Sequence, residues 1–552
     1  MNDRDVRLAY AHGGMDEETE QESLDRNSLL TLLILSLAAA IVPWFGQADV
    51  GVSLAFSLVS LALPAAAFRA AGQAEDETDV VRHEADWTAL APPPPAPPVR
   101  RAAPQTREVA IVGGGFSGTM LAVQLARTEG ACITLIERAG APGRGLAYGT
   151  DNPRHLLNVR AERMSAYPED PGHFARWLAA RDLGGPADFA PRRVYGLYLE
   201  QQLRQAHADS FPRLKLVAGE AIGIEADGER RRVLLEDGRA VSADAVVLAT
   251  GNPPPPCLSA FADLPPHLYA PDPWGRGLAD GLGRNDPVLL VGTGLTMVDA
   301  AVSLADAGHE GRILAVSRRG LLPRVHAAGP HGHASADDMA GLPLSRRLAA
   351  FRTRAADQGW RTAMDEIRPA VQAMWKALNP TEKSRFLRHL RPWWEVHRHR
   401  LAPEMAGRLD ALRAAGRFEA AACTIIGAEA RYGRVAVSLR PRGTDQVVRI
   451  EVARVVNCAG AESDLGRAGN RLLQSLRDAG SIRADAHRLG VDTGRNGEAI
   501  GADGFVTPGL YALGPLARGR LWEATAVPEL RAQAAAMAAL FGAEAPVDVA
   551  VG

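Results

Sequence analysis

Glu108-Val109-Ala110-Ile111-Val112-Gly113-Gly114-Gly115-Phe116-Ser117-Gly118 is the stretch on which the fold turns. Five residues of strand character run straight into a G-x-G-x-x-G turn, and residues 119–127 continue with helical spacing. Strand, glycine turn and helix in that order form a dinucleotide-binding fingerprint. Gly113 permits the tight turn, Gly115 lets a pyrophosphate approach the backbone, and Gly118 lets the helix pack on the strand. Phe116 and Ser117 open the helix, whose unpaired N–H groups and dipole favour phosphate. A second strand, 132–136, ends at Glu137, 24 residues after Gly113, where a carboxylate accepts hydrogen bonds from ribose hydroxyls.

A second fingerprint follows at 288–299. Val288-Leu289-Leu290-Val291 is the strand and Gly292-Thr293-Gly294-Leu295-Thr296-Met297 the turn. Met297 replaces the third glycine, which predicts looser packing of helix on strand. Gly292, Gly294 and Thr296 are its candidate cofactor contacts. The next strand, 313–316, ends in Ser317-Arg318-Arg319 instead of a carboxylate. Arginine there pairs with a 2′-phosphate, so Arg318 and Arg319 favour NADPH over NADH. Small residues at three further strand ends let the chain pass close to a bound dinucleotide: Ala249-Thr250-Gly251, Cys458-Ala459-Gly460 and Leu513-Gly514. Trp522-Glu523-Ala524-Thr525 comes next, with Trp522 and Glu523 as further candidate cofactor contacts, and Pro528-Glu529 opens a helix over 530–541 whose amino terminus is placed to meet a flavin.

The whole chain has 552 residues, of which 47% are apolar and 23% charged, enough for a large buried core. Its 62 basic and 64 acidic residues nearly cancel, so the overall charge gives no reason to expect a nucleic-acid partner. Four cysteines, Cys132, Cys257, Cys423 and Cys458, contain no CxxC pair, which speaks against a dithiol redox centre and a Cys-rich zinc site. His326, His331, His333 and Asp337-Asp338 form a loop cluster whose glycine- and proline-broken spacing lacks the geometry of a ligand pair, so no metal is expected.

The amino-terminal hundred residues are of a different material. Residues 1–27 are acidic and aperiodic, which predicts disorder. Two uncharged runs, 28–48 and 50–68, are separated by Asp49. Each is close to the ~20 residues that span ~30 Å of hydrocarbon, so 28–70 reads as a transmembrane helical hairpin. Arg26 and Arg69 flank it, which puts both ends, and the body, on the cytoplasmic side of an inner membrane. Residues 71–107 form a linker with a polyproline run at 92–98 that holds the body off the bilayer.

Gly145-Leu146-Ala147-Tyr148, His155-Leu156-Leu157-Asn158-Val159, Met164-Ser165, Pro168-Glu169-Asp170-Pro171, Tyr195-Gly196 and Trp522-Glu523-Ala524 carry a family likeness. With the two fingerprints, the chain from 108 to about 542 resembles the two-dinucleotide-binding-domain flavoproteins. Within them it is similar to the FAD/NAD(P)-binding proteins related to class B flavin-dependent and N-hydroxylating monooxygenases. The resemblance implies an α/β architecture of two Rossmann-like domains, with FAD on Gly113, Gly115, Gly118 and Glu137 and NADPH on Gly292 and Gly294. It puts Asn158 and Met164 near the isoalloxazine. The expected parts are a first FAD-binding portion at 108–285, an NADP-binding domain at 286–450 with a helical insert at about 326–420, and a second FAD-binding portion at 451–552.

Trp360, Trp375, Trp393 and Trp394 make the insert a candidate substrate cap, in which Arg398 or Arg400 holds an anionic substrate and Trp394 excludes water. An amphipathic helix with a wet basic face is the alternative. The leading expectation is a membrane-tethered, FAD-dependent, NADPH-consuming monooxygenase. Hydride passes to flavin N5, and molecular oxygen then forms a C4a-(hydro)peroxyflavin that attacks a small molecule. Asn158, Met164 and Arg398 are the candidate catalytic contacts. The alternatives are a dehydrogenase or reductase delivering electrons to a quinone or membrane partner, and a flavin-bound sensor or scaffold without turnover.

Overall fold

β1 (Arg107–Val112), β2 (Ala131–Glu137) and β3 (Leu214–Ala218) run parallel, joined by α1 (Phe116–Ala126) and by a longer crossover that contains α2 (Arg192–Ser210). The computed structural model describes residues 106–275, 277–327, 339 and 341–542. The acidic tail, the hairpin at 28–70 and the linker up to residue 105 lie outside them. Among the described residues no helix is long and apolar enough to cross a membrane.

A three-stranded antiparallel sheet follows: β4 (Ala221–Asp227), β5 (Arg230–Leu235) and β6 (Ala240–Ala243). The chain then returns as β7 (Ala245–Leu248), parallel to β1 with Val109 opposite Ala245. All four β7 residues are apolar and buried, as expected of a strand covered on both faces.

The second sheet collects β8 (Tyr269–Ala270), β9 (Val288–Val291), β10 (Ile313–Ser317), β11 (Phe418–Arg431), β12 (Arg434–Pro441), β13 (Val448–Val452) and β14 (Arg454–Asn457) in the order β13-β12-β11-β10-β9-β14-β8. α3 (Leu295–Asp306) connects β9 to β10. The insert between β10 and β11 is helical, from Leu344–Gln358 to Pro403–Ala414, and includes α4 (Arg391–Arg398).

β15 (Glu498–Ile500) and β16 (Val506–Ala512) then complete the first sheet, in the order β15-β16-β7-β1-β2-β3. α5 (Val527–Gly542) closes over α1. The first nucleotide fold is therefore assembled from residues on both sides of the second.

Two expected boundaries move. β14 lies beyond residue 450 and β8 before residue 286, yet both pair in the second sheet, with Val455 and Val456 fully buried between β9 and β8. The second fold thus includes 454–457, and Gly460 leaves that fold instead of the first. Core composition follows strand alternation. Val109 and Ile111 face the cluster of Met120, Leu121, Leu125 and Phe541, while Ala110 and Val112 face that of Leu472, Leu476 and Leu510.

Candidate functional site: two nucleotide cradles and the cleft between them

At the first cradle, Gly113 adopts φ 110°, and a Cβ there would be driven into the Ala249 carbonyl. A Cβ on Gly118 would meet the Gly113 carbonyl in the same way. Both glycines are thus required by close approach of chain to chain. Gly115 caps α1 in extended geometry, leaving the helix amino terminus open to a phosphate. The Glu137 carboxylate accepts from Gly114 N–H (2.6 Å) and Ala139 N–H (2.9 Å). Each oxygen keeps a lone pair for a ribose hydroxyl.

Phe116 packs into the core against Tyr195, and the Ser117 side chain is buried, so both offer backbone N–H groups to a ligand. A Cβ on Gly514 would lie 2.5 Å from Ser117 Oγ, which ties the end of β16 to the start of α1. Gly143 N–H donates to Gly114 O (2.7 Å), and a Cβ on Gly145 would lie 2.8 Å from Gly115 Cα. The Gly145–Tyr148 turn therefore sits directly over the cradle. The sequence marked that turn as distinctive but gave no sign that it covers Gly115. Thr250 and Gly251 follow Ala249 at the same edge, and the cradle fits a dinucleotide.

The second cradle repeats the first. Gly292 has φ 125°, and a Cβ there would strike the Cys458 carbonyl at the end of β14. Gly294 caps α3 and meets no atom within 4 Å in the direction of a side chain, so the turn faces open space. That space is a cleft of about 570 Å³ lined by three parts of the molecule. The second fold supplies Gly292, Gly294, Thr296, Arg318 and Gly460. The first supplies Asn252, Pro253, Leu516, Arg518 and Thr525, and the insert supplies Arg391 and Glu395. Glu395 joins the insert to the first fold, 3.2 Å from Arg518, and lies 3.4 Å from Arg391 on its own helix. The first fold is also pinned to α3 by a buried Arg192–Asp299 ion pair (2.8 Å) and by His155 against the Ser303 hydroxyl (2.8 Å).

Other candidates fall elsewhere. Arg319 donates to the Arg388 carbonyl (3.3 Å) and does not line the cleft, whereas Arg318 does. Arg398 does not hold an open substrate site. Its guanidinium lies 2.8 Å from Glu523, with the two side chains only 9% and 3% exposed. Arg400 is likewise taken by Asp365 (3.0 Å). A bare arginine in such a place is too costly to bury, so each has an internal carboxylate instead. Trp394 donates to Glu523 (3.1 Å), and Trp522 stacks on Trp375 with centroids 4.9 Å apart. Trp522 and Glu523, expected at the cofactor, thus have their side chains in the seam that docks the insert onto the first fold.

Met164 is buried in the core of the first fold as a packing residue. The Asn158 carbonyl accepts from His326 Nε2 (3.0 Å), and burial pulls that imidazole down to about 4, so it is neutral at neutral pH. His331, His333, Asp337 and Asp338 lie outside the described residues. All four cysteines are unpaired, and burial pushes the Cys458 thiol, at the cleft, well up. A protonated, unpaired thiol is unsuited to disulfide exchange.

Residues 110–253 match a family model described as FAD-NAD(P)-binding. The chain is 24% identical to an uncharacterised protein of Mycobacterium tuberculosis strain H37Rv, over 81% of this chain and 97% of that protein. Among solved structures, the ornithine hydroxylase of Pseudomonas aeruginosa matches with a TM-score of 0.55 at 15% identity, covering 79% of this chain and 98% of that one. The L-lysine 6-monooxygenase of Pseudomonas syringae gives 0.55 at 19% identity, over 79% and 99%. At such identities the likeness is one of fold. Residues 110–253 are thus similar to FAD-NAD(P)-binding domains, and the two-cradle architecture is shared with those solved structures.

Proposed function

We propose that this protein is an FAD-dependent, NADPH-consuming monooxygenase acting on a small molecule with molecular oxygen. We further propose that residues 28–70 tether it to the inner membrane with its body on the cytoplasmic side. The observation that carries the enzymatic reading is a cleft walled by both folds and the insert, with a glycine turn opening into it at Gly292–Gly294. FAD, when bound, accepts a hydride from the reduced nicotinamide and delivers its electrons onward to oxygen.

The chain's own part is to bind, orient and exclude water. Gly115 and the start of α1 receive the FAD pyrophosphate, and Glu137 its ribose. Gly292, Gly294 and the start of α3 receive the second dinucleotide, and Arg318 its 2′-phosphate. α4, held down by the Arg398–Glu523 pair and by Trp394 donating to Glu523, closes one wall of the cleft against solvent. The absence of a dithiol supports electron transfer directly from flavin to the final acceptor. The ornithine and lysine monooxygenases with the same fold support oxygen as that acceptor. The apolar runs at 28–48 and 50–68 favour a second reading, a reductase that passes electrons to a membrane quinone.

The full-length protein purified in detergent decides between them. The expected result is a yellow protein that releases FAD and couples NADPH oxidation to oxygen uptake and substrate oxygenation. A protein that stays colourless in excess FAD overturns the flavoenzyme reading. Rapid NADPH oxidation that depends on added quinone and ignores oxygen replaces the monooxygenase with the reductase.

A further inference from the structure

Glu462 is a buried acid to which the reading above gives no task. It follows β14 in the turn Cys458-Ala459-Gly460-Ala461-Glu462-Ser463, is 8% exposed, and lines the cleft. Its Oε1 accepts from the backbone N–H groups of Ser463 and Asp464, both at 2.9 Å. Its own N–H donates to the Pro254 carbonyl (3.2 Å), which fastens this turn of the second fold to the segment leaving β7 of the first. The carboxylate is therefore held in place before any ligand arrives. Oε2 is buried with no hydrogen-bond donor. Arg467 Nε lies 3.2 Å away but misaligned, on a side chain that is 61% exposed. A buried acceptor without a donor is destabilising and calls for one.

The sheet order says which donor. β9 carries the Gly292–Gly294 turn, with β10 on one side and β14 on the other. Arg318 follows β10 and Glu462 follows β14. A dinucleotide with its pyrophosphate on the central turn and its 2′-phosphate towards Arg318 must lay its other half over the end of β14. That half is the nicotinamide riboside, whose hydroxyls and carboxamide N–H groups are donors. We propose that Glu462 Oε2 accepts a hydrogen bond from the nicotinamide riboside half of NADPH and so anchors the ring end of the ligand where the two folds meet. The proposal rests on the NADPH reading of the second cradle.

The substitution Glu462→Gln tests it. Glutamine keeps a carbonyl oxygen for Ser463 and Asp464 but turns an N–H donor towards the ligand's donors. Calorimetry on the full-length, FAD-loaded protein with NADP⁺ and with 2′,5′-ADP separates the two halves of the ligand. NADP⁺ affinity is expected to fall about tenfold or more, the range for a lost charged hydrogen bond, with 2′,5′-ADP binding and the flavin spectrum unchanged. Unchanged NADP⁺ affinity overturns the proposal, as does an equal loss of both ligands, which marks a turn that is merely structural. If Glu462→Gln fails to fold, Glu462→Asp, which shortens the reach and keeps the charge, is read by the same two titrations. A wild-type protein that binds neither ligand overturns the nucleotide reading of the second cradle and this assignment with it, whereas a loss confined to NADP⁺ in the variants bears on the assignment alone.

Discussion

The two cradles share a backbone and differ in what surrounds it. In each, the first glycine donates its N–H to the end of the second strand: Gly113 to Ile136 O (2.9 Å) and Gly292 to Val316 O (2.8 Å). In each, a third strand runs parallel beside the first, with Ala249 N–H bonded to Val112 O and Cys458 N–H to Val291 O, both at 2.8 Å. The requirement for glycine at 113 and 292 therefore comes from the close approach of that neighbouring chain before any ligand is considered. The third position is different. Gly118 is pressed against the Gly113 carbonyl, whereas Met297 occupies the matching place and is fully buried. The first cradle is roofed by the Gly145–Tyr148 turn. The second opens into a cleft whose far wall belongs to the first fold and to an insert docked there.

The sharpest way to break the comparison is to add one methyl group at each close approach. Gly113→Ala should destabilise the body by about 3 kcal/mol or more, through positive-φ strain and overpacking, and yield colourless protein. Gly292→Ala should leave the flavin bound and abolish NADP⁺ binding. Visible absorbance and NADP⁺ calorimetry on the two variants decide, and loss of both ligands in both variants denies the cradles their independence. Next in size is the borrowed wall. Glu523→Ala leaves the buried Arg398 with only Glu529, 4.0 Å away, and Trp394 without its acceptor, and should cost about 3 kcal/mol in chemical denaturation. The double substitution Arg398→Met with Glu523→Leu should recover much of that loss.

Smaller is the difference between Glu137 and Arg318 at the ends of the two second strands. Arg318→Ala should weaken NADP⁺ by about tenfold, roughly 1.4 kcal/mol, and leave NAD⁺ binding unchanged in parallel titrations. Smallest is the tie between insert and first fold at His326. Burial holds this imidazole at about 4, so the unfolded chain takes up the proton first and stability is lost as pH falls from about 6.5 towards 4. His326→Gln, which retains a donor for the Asn158 carbonyl, should remove about 1 kcal/mol of that loss in thermal melts across the same range.

Local signals in the sequence carried both glycine turns, the strands before them and the opposite charges at Glu137 and Arg318, because each is a short-range pattern with its own stereochemistry. Pairings across long stretches of chain were not legible. Ala249-Thr250-Gly251 and Cys458-Ala459-Gly460 look alike, and nothing within a four-residue strand says which sheet will bury it, so β14 was expected in the second FAD-binding portion and instead joins the second sheet. Arg398 illustrates the same limit. A basic residue on a short helix reads as a ligand or a wet face until Glu523 is seen beside it. Glu462 carried no signal, since an acid two residues past a glycine is ordinary until its turn is found stitched to Pro254. The expected membrane hairpin at 28–70 falls outside the described residues.

The late arrival of β16 and α5 sets an order of assembly during synthesis. Every strand of the second sheet has left the ribosome once Asn457 emerges, whereas β7 still waits with an uncovered edge for residues some 50 positions further along. The nascent chain can thus complete its second sheet first and its first sheet only at the end. A truncation or proteolytic nick in the last 50 residues would strike the cradle that begins at residue 107, the one most distant from it along the chain.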